Sequence, residues 1–167
     1  GASYVDGRGL PCVEGMIQDI SQSVAFQEAL AEQHEGEERT RIMLDATSLC
    51  CNLWDEDLNN IDCNQEAATL FDLPDKQAYL DHFNDLSPER QPNGKLSSEE
   101  SVRHIKNAFA NGREVFEWMH QKLDGTPIPS EITLVRVKRG DKYIVAGHTR
   151  DLRELKATEA NRLEAEE

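Results

Sequence analysis

The last third of the chain holds three β-rich runs, residues 114–123, 128–138 and 142–151, parted only by Asp124-Gly125 and by Arg139-Gly140-Asp141. Connections this short cannot carry a crossover, so neighbouring runs must pair antiparallel as hairpins. Upstream, Ser97 or Ser98 followed by Glu99 and Glu100 opens an amphipathic helix that ends at Asn111-Gly112. Val102, Ile105, Ala108 and Phe109 fall on one of its faces. Earlier still, residues 48–55 and 59–63 read as two strands with Asp55-Glu56-Asp57 turning between them. Asn64 then caps a short helix to residue 73, and Asp75 caps a second to residue 83. Residues 84–96 are irregular, broken by Pro88, Pro92 and Asn93-Gly94. The order β-β-α-α-α-β-β-β predicts an α+β fold, one five-stranded antiparallel sheet with short helices on one face. A polar helix, residues 152–167, leaves the last strand.

Composition narrows the function classes. The 167 residues allow one domain with flanking helices, and no run of about 18 apolar residues offers a membrane span. A formal net charge of −14 repels phosphate backbones, so nucleic acid is not an expected partner. A soluble cytoplasmic chain without direct membrane contact is expected. Gly1-Ala2-Ser3 reads as a tag remnant on a piece of a longer protein. Of the four cysteines, Cys12, Cys50, Cys51 and Cys63, none forms a C-x-x-C pair or a zinc-type cluster with histidine. Cys50 and Cys51 should point to opposite sides of a strand, as free thiols.

One short pattern occurs twice. Residues 13–22 align without gaps on residues 145–154, 132 positions apart (145 − 13). Each copy is a strand ending in Asp and an aliphatic residue, followed by a charged helical segment. That spacing suggests tandem modules. Residues 1–20 are then the tail strand of a preceding module, 21–46 a connector helix, 47–152 a complete domain and 153–167 its exit helix.

The complete unit resembles a PAS domain. Asp62-Cys63-Asn64-Gln65-Glu66-Ala67 is similar to the family's second-strand exit. Leu70-Phe71-Asp72-Leu73 is similar to its next segment, with Asp72 where the family commonly has Gly. Residues 116–125 resemble the third strand and its Asp-Gly turn, and Val145–Gly147 with Arg150-Asp151-Leu152 the closing strand. The resemblance implies a sensing and dimerisation module of a bacterial signal-transduction protein. A sensor histidine kinase is the first expectation for the parent, and a diguanylate cyclase or phosphodiesterase the alternative. The expected partners are a second copy, paired through the connector helices, the parent's effector domain and a small-molecule ligand. A ligand-free structural spacer is the competing reading.

The resemblance frames the candidate residues. In haem-binding members a His on the long helix ligates iron. Here the position of His104, offset from the apolar stripe, argues against haem, and Cys63-Asn64-Gln65 lacks the order of a photoreactive flavin motif. The cofactor is therefore left open. On the strand after the long helix, either Phe116, Trp118 and His120 or Val115, Glu117, Met119 and Gln121 face the helices. Burying Glu117 unpaired is costly, which selects the first set. The candidate cavity residues are Asn52, Trp54, Phe71, Phe109, Phe116, Trp118, His120 and Thr133, with Tyr79, Phe83, Ile105 and Val145 as further wall. Asp151 and Leu152 form the expected signal-coupling joint, with Asp151 capping the exit helix or meeting the turn near Trp54 and Asp55. An enzyme built on Asp62, His120 or His148 is the alternative from another class. No nucleophile–base spacing supports it, and the fragment carries no catalytic motif.

Overall fold

The computed structural model of the chain describes Ala25 and residues 49–166. The tail strand 1–20 and the connector 21–46, apart from Ala25, lie outside the described residues, and so does Cys12. Five strands form one antiparallel sheet: β1 (Cys50–Trp54), β2 (Asn60–Cys63), β3 (Arg113–Gln121), β4 (Pro127–Arg139) and β5 (Lys142–Asp151). Their order across the sheet is β2-β1-β5-β4-β3. The hairpins foreseen in the last third are present, with Leu134 opposite Gly147 on β5 and Phe116 opposite Ile132 on β4. The first hairpin is closed by Asp55, whose Oδ1 accepts the N–H groups of Asp57 and Asn59 at 3.0 and 2.9 Å.

Because β2 and β3 are the two edge strands, the chain between them must cross the full width of the sheet. It does so as α1 (Gln65–Leu70), α2 (Lys76–His82), a 3-10 turn (Phe83–Leu86), an extended strap (residues 87–96) and α3 (Ser97–Asn111). The caps foreseen for the two short helices are in place. Asn64 and Asp75 each accept the N–H three residues on, from Ala67 at 3.2 Å and Ala78 at 2.8 Å. Residue 72 is left-handed, with φ 56°, a conformation Gly adopts freely and Asp tolerates. Asp72 also holds Lys122 on the β3–β4 hairpin in an ion pair.

Two expectations are corrected. Helix α3 is not capped by a serine side chain: its N-cap is Leu96, and Ser97 is its first helical residue. The Ser97 hydroxyl is instead taken by Gln91, whose Nε2 donates to it at 2.9 Å. Asp151 does not approach Trp54 or Asp55. It pairs with Ser130, whereas Trp54 pairs with Val145, six residues and about 20 Å away along β5.

Under the sheet lie two apolar clusters. One holds Cys50, Cys63, Ala67, Phe71, Tyr79, Leu86 and Ile128; the other holds Trp54, Ile105, Ala108, Trp118, Ile132, Leu134 and Val145. The exit helix α4 (Arg153–Glu166) buries no residue of its own.

Candidate ligand cavity of the helical face

Between the strap, α3 and the sheet is a cavity of about 600 Å3. Its floor comes from alternate residues of four strands, because side chains repeat on one face every second position. These are Asn52 and Trp54 of β1, Phe116, Trp118 and His120 of β3, Ile132 and Leu134 of β4, and Thr149 of β5. The choice of Phe116, Trp118 and His120 over the Glu117 set is therefore correct, and the Glu117 side chain is 72% exposed. The roof comes from Tyr79, Phe83, the strap and α3.

Four of the expected cavity and wall residues sit elsewhere. Thr133 lies between Ile132 and Leu134, so strand alternation turns it to the opposite face, level with His148. Phe71 is in the first cluster, its ring 5.8 Å from Tyr79 and 5.2 Å from His120, and is spent on packing. Phe109 is one helical turn beyond Ile105, past the end of the cavity, and lines a separate depression with Leu58 and Tyr143. Val145 is fully buried but does not reach the cavity.

Sequence reading missed Ile132, Leu134 and Thr149 of the floor and, on the roof, four serines among others. Ser87, Ser97, Ser98 and Ser101 line the roof. A signal for two of them exists: the face marked by Ile105 and Phe109, extended backward in steps of four, reaches Ser101 and Ser97. The cavity wall is thus apolar at one end of α3 and hydroxylated at the other.

The strap is pinned to edge strand β3. The Gln91 amide acts as a surrogate strand residue, with Oε1 accepting the Met119 N–H at 2.8 Å and Nε2 donating to the Met119 carbonyl at 3.1 Å. Trp118 Nε1 donates to Ser87 Oγ at 3.0 Å. These bonds hold the roof over the cavity and also satisfy backbone groups that an open edge would leave available for aggregation.

His120 is 5% exposed. Its Nδ1 lies 3.1 Å from the Leu86 carbonyl, which can only accept, so Nδ1 carries the hydrogen and Nε2 is left with its lone pair. Burial pushes its pKa down to about 4, against the opposing pull of the Leu86 carbonyl, and the ring is neutral at pH 7. Burial likewise lifts the Cys50 thiol to about 12, so it stays protonated. Asn52 Nδ2 donates to Tyr79 Oη at 3.2 Å. Gly147, opposite Asn52, is required by close approach: a Cβ there would lie 2.5 Å from Asn52 Oδ1 and 3.0 Å from Leu134 Cδ2.

His104 does not reach this cavity. Its Nδ1 lies 2.8 Å from Glu114 Oε1 and its Nε2 3.1 Å from Arg103 Nη2, while its ring stacks on Phe116 at 3.6 Å. Both nitrogens are engaged within the protein. The residues of the enzyme alternative do not converge. His120 is on the helical face and His148 on the other, and Asp62 accepts the Cys63 N–H at 2.8 Å. No hydrogen bond joins any two of the three among the described residues.

Strand β5 runs directly into the exit helix. Asp151 caps it, accepting the Arg153 N–H at 2.9 Å and pairing with the Arg153 guanidinium at 2.7 Å. Partial burial works to raise the Asp151 pKa, but the Arg153 hydrogen bonds and charge outweigh it and hold the carboxyl below its usual range. Leu152 is buried and donates its N–H to the Pro129 carbonyl at 2.9 Å.

A family profile described as the PAS fold matches residues 44–157, more than half of the chain. The chain belongs to the PAS family. Solved structures agree at the level of the fold. A PAS domain of a two-component sensor histidine kinase superposes with a TM-score of 0.53 at 7% identity, over 71% of this chain and 98% of that one. The PAS domain of an HTR-like protein from Haloarcula marismortui gives 0.56 at 14% identity, over 75% and 98%. The PAS domain of nitrogen regulation protein NR(II) from Vibrio parahaemolyticus gives 0.51 at 14%, over 67% and 96%. No curated protein matches. PAS domains are in general sensory, non-catalytic modules. Among the described residues of this one, no helix is long and apolar enough to cross a membrane.

Proposed function

We propose that this PAS domain senses a small molecule in the cavity under its sheet and passes the occupancy to α4 through β5. The parent is then a cytoplasmic bacterial signalling protein, a sensor histidine kinase by first choice, that works as a dimer joined through its connector helices. One observation carries the reading. The cavity floor includes Ile132 and Leu134 of β4 and Thr149 of β5, and the same two strands hold Leu152 and Asp151 at the root of α4. A ligand that shifts these strands therefore biases the helix at its first turn, a local packing event with a remote readout. A cavity of this size favours sensing over a purely structural spacer, whose interior would be filled by its own side chains.

Native mass spectrometry of the purified chain tests the first step. A retained small molecule, lost in Ile105→Trp, is expected, and a dimeric mass supports the pairing. Asp151→Ala tests the second step. It should cost about 1 kcal/mol in thermal stability through the lost cap and uncouple ligand from output in the parent. Output that still follows the ligand in the variant would remove the joint.

A further inference from the structure

The cavity wall says what kind of molecule it can hold. We infer that the ligand is a neutral, largely ring-built molecule carrying an N–H or O–H donor that bonds to His120 Nε2. The inference rests on the cavity being the sensing site.

Charge is the first constraint. Among the described residues lining the cavity there is no Lys or Arg, and Glu89, at an exposed position on the strap, is the one charged side chain. A buried carboxylate or phosphate needs a cation beside it. His120 does not supply one, since burial keeps it neutral. The chain's formal charge of −14 opposes anions at long range as well. A buried ammonium meets the mirror problem, because the one carboxylate among the described lining residues, Glu89, stands at an exposed position.

Shape and polarity are the second. Trp54, Phe83, Phe116 and Trp118 surround the space, with Trp54 and Phe83 in edge contact at 4.9 Å. Such walls favour flat or cyclic bodies. Among the described residues His120 Nε2 has no hydrogen-bond partner, and its tautomer is fixed from behind by the Leu86 carbonyl. It can accept a hydrogen bond and cannot donate one. An acceptor that faces the cavity without a partner selects for ligands that bring a donor, because a ligand without one leaves the lone pair unsatisfied.

Four probes on one scaffold separate the alternatives: indole, 1-methylindole, indole-3-acetate and tryptamine. Titration calorimetry on the purified chain should show indole binding, 1-methylindole at least ten-fold weaker, and the anion and the ammonium weaker than indole. Ile105→Trp should abolish the indole signal, which places it in the cavity. The 15N resonance of His120 Nε2 should move with indole and stay with 1-methylindole. That measurement needs no variant at position 120. His120→Phe, where it folds, should give the two indoles equal affinity. Equal affinity in the native chain, or tighter binding of indole-3-acetate or tryptamine, overturns the chemical class and leaves the cavity as a sensing site. Absent indole binding alongside a retained small molecule in the native mass spectrum has the same consequence. If no probe binds and nothing is retained, the sensing reading falls with it.

Discussion

The two clusters beneath the sheet are built from similar residues and do different things. Under β1, β2 and the start of β4, Phe71, Tyr79, Leu86 and Ile128 are each at most 2% exposed and pack solidly with Cys63 and Ala67. Under β3, β4, β5 and the end of β1, Trp54, Ile105, Trp118, Ile132 and Leu134 face a cavity. The difference follows from how the chain crosses. Helices α1 and α2 lie close to the sheet, tied down by the buried Asn64. Its side chain accepts from Cys51 N–H at 2.9 Å and Ala67 N–H at 3.2 Å, and donates to the Leu49 carbonyl at 2.7 Å. The strap and α3 are instead hung from the edge strand by Gln91 and Trp118, and so stand off the floor. One side supplies stability and the other gives up packing for volume.

This contrast can be broken from the solid side first. Phe71→Ala should cost about 4 kcal/mol, a full aromatic deletion in a site with no room to relax. Chemical denaturation would read it, and a loss under 1 kcal/mol would mean the cluster is not solid. The next effect is one of pH. His120 titrates near 6.5 in an unfolded chain and at about 4 when folded, so the unfolded state binds more protons between those values. Stability is fully present above pH 6.5 and is lost as pH falls toward 4, by about 3 kcal/mol at most. His120→Phe should flatten this part of the stability–pH curve, and an unchanged slope would refute the assignment.

Smaller effects sharpen the comparison. Asn64→Ala removes a cap and two further buried bonds and should cost about 2 kcal/mol, measured as a lower denaturation midpoint. Ser101→Leu, on the hollow side, should change stability by less than about 1 kcal/mol, because it fills space instead of emptying it. It should nevertheless weaken ligand retention in native mass spectra. A large loss of stability from this variant would mean the roof is packed as tightly as the first cluster.

Much of this was legible locally. Asn64 and Asp75 announced their helices because a cap needs only the next three residues. The Asp-Gly and Gly-Asp turns announced the hairpins for the same reason. The polar Glu117 identified the inner face of β3. Thr133 was misplaced although Glu131, two positions earlier and so on the same face, marks that face as the outer one. Phe71 and Phe109 were misplaced because an aromatic that fills a core and one that lines a cavity look alike in sequence. Ser97 and Ser98 were overlooked because they read as capping residues, while Gln91 had taken the hydroxyl of Ser97.

The sequence by itself determined the order of elements, the caps of the two short helices, the hairpin turns and the inner face of β3. All of these rest on neighbours a few residues apart. Only the tertiary structure decided that the interior is solid on one side and hollow on the other, and that His120 Nε2 keeps its lone pair unpartnered among the described residues. Those features depend on contacts such as His120 to Leu86, Trp118 to Ser87 and Met119 to Gln91, which span 34, 31 and 28 residues. A cavity is the volume left between segments that meet only when the whole chain has folded, so no local pattern encodes it.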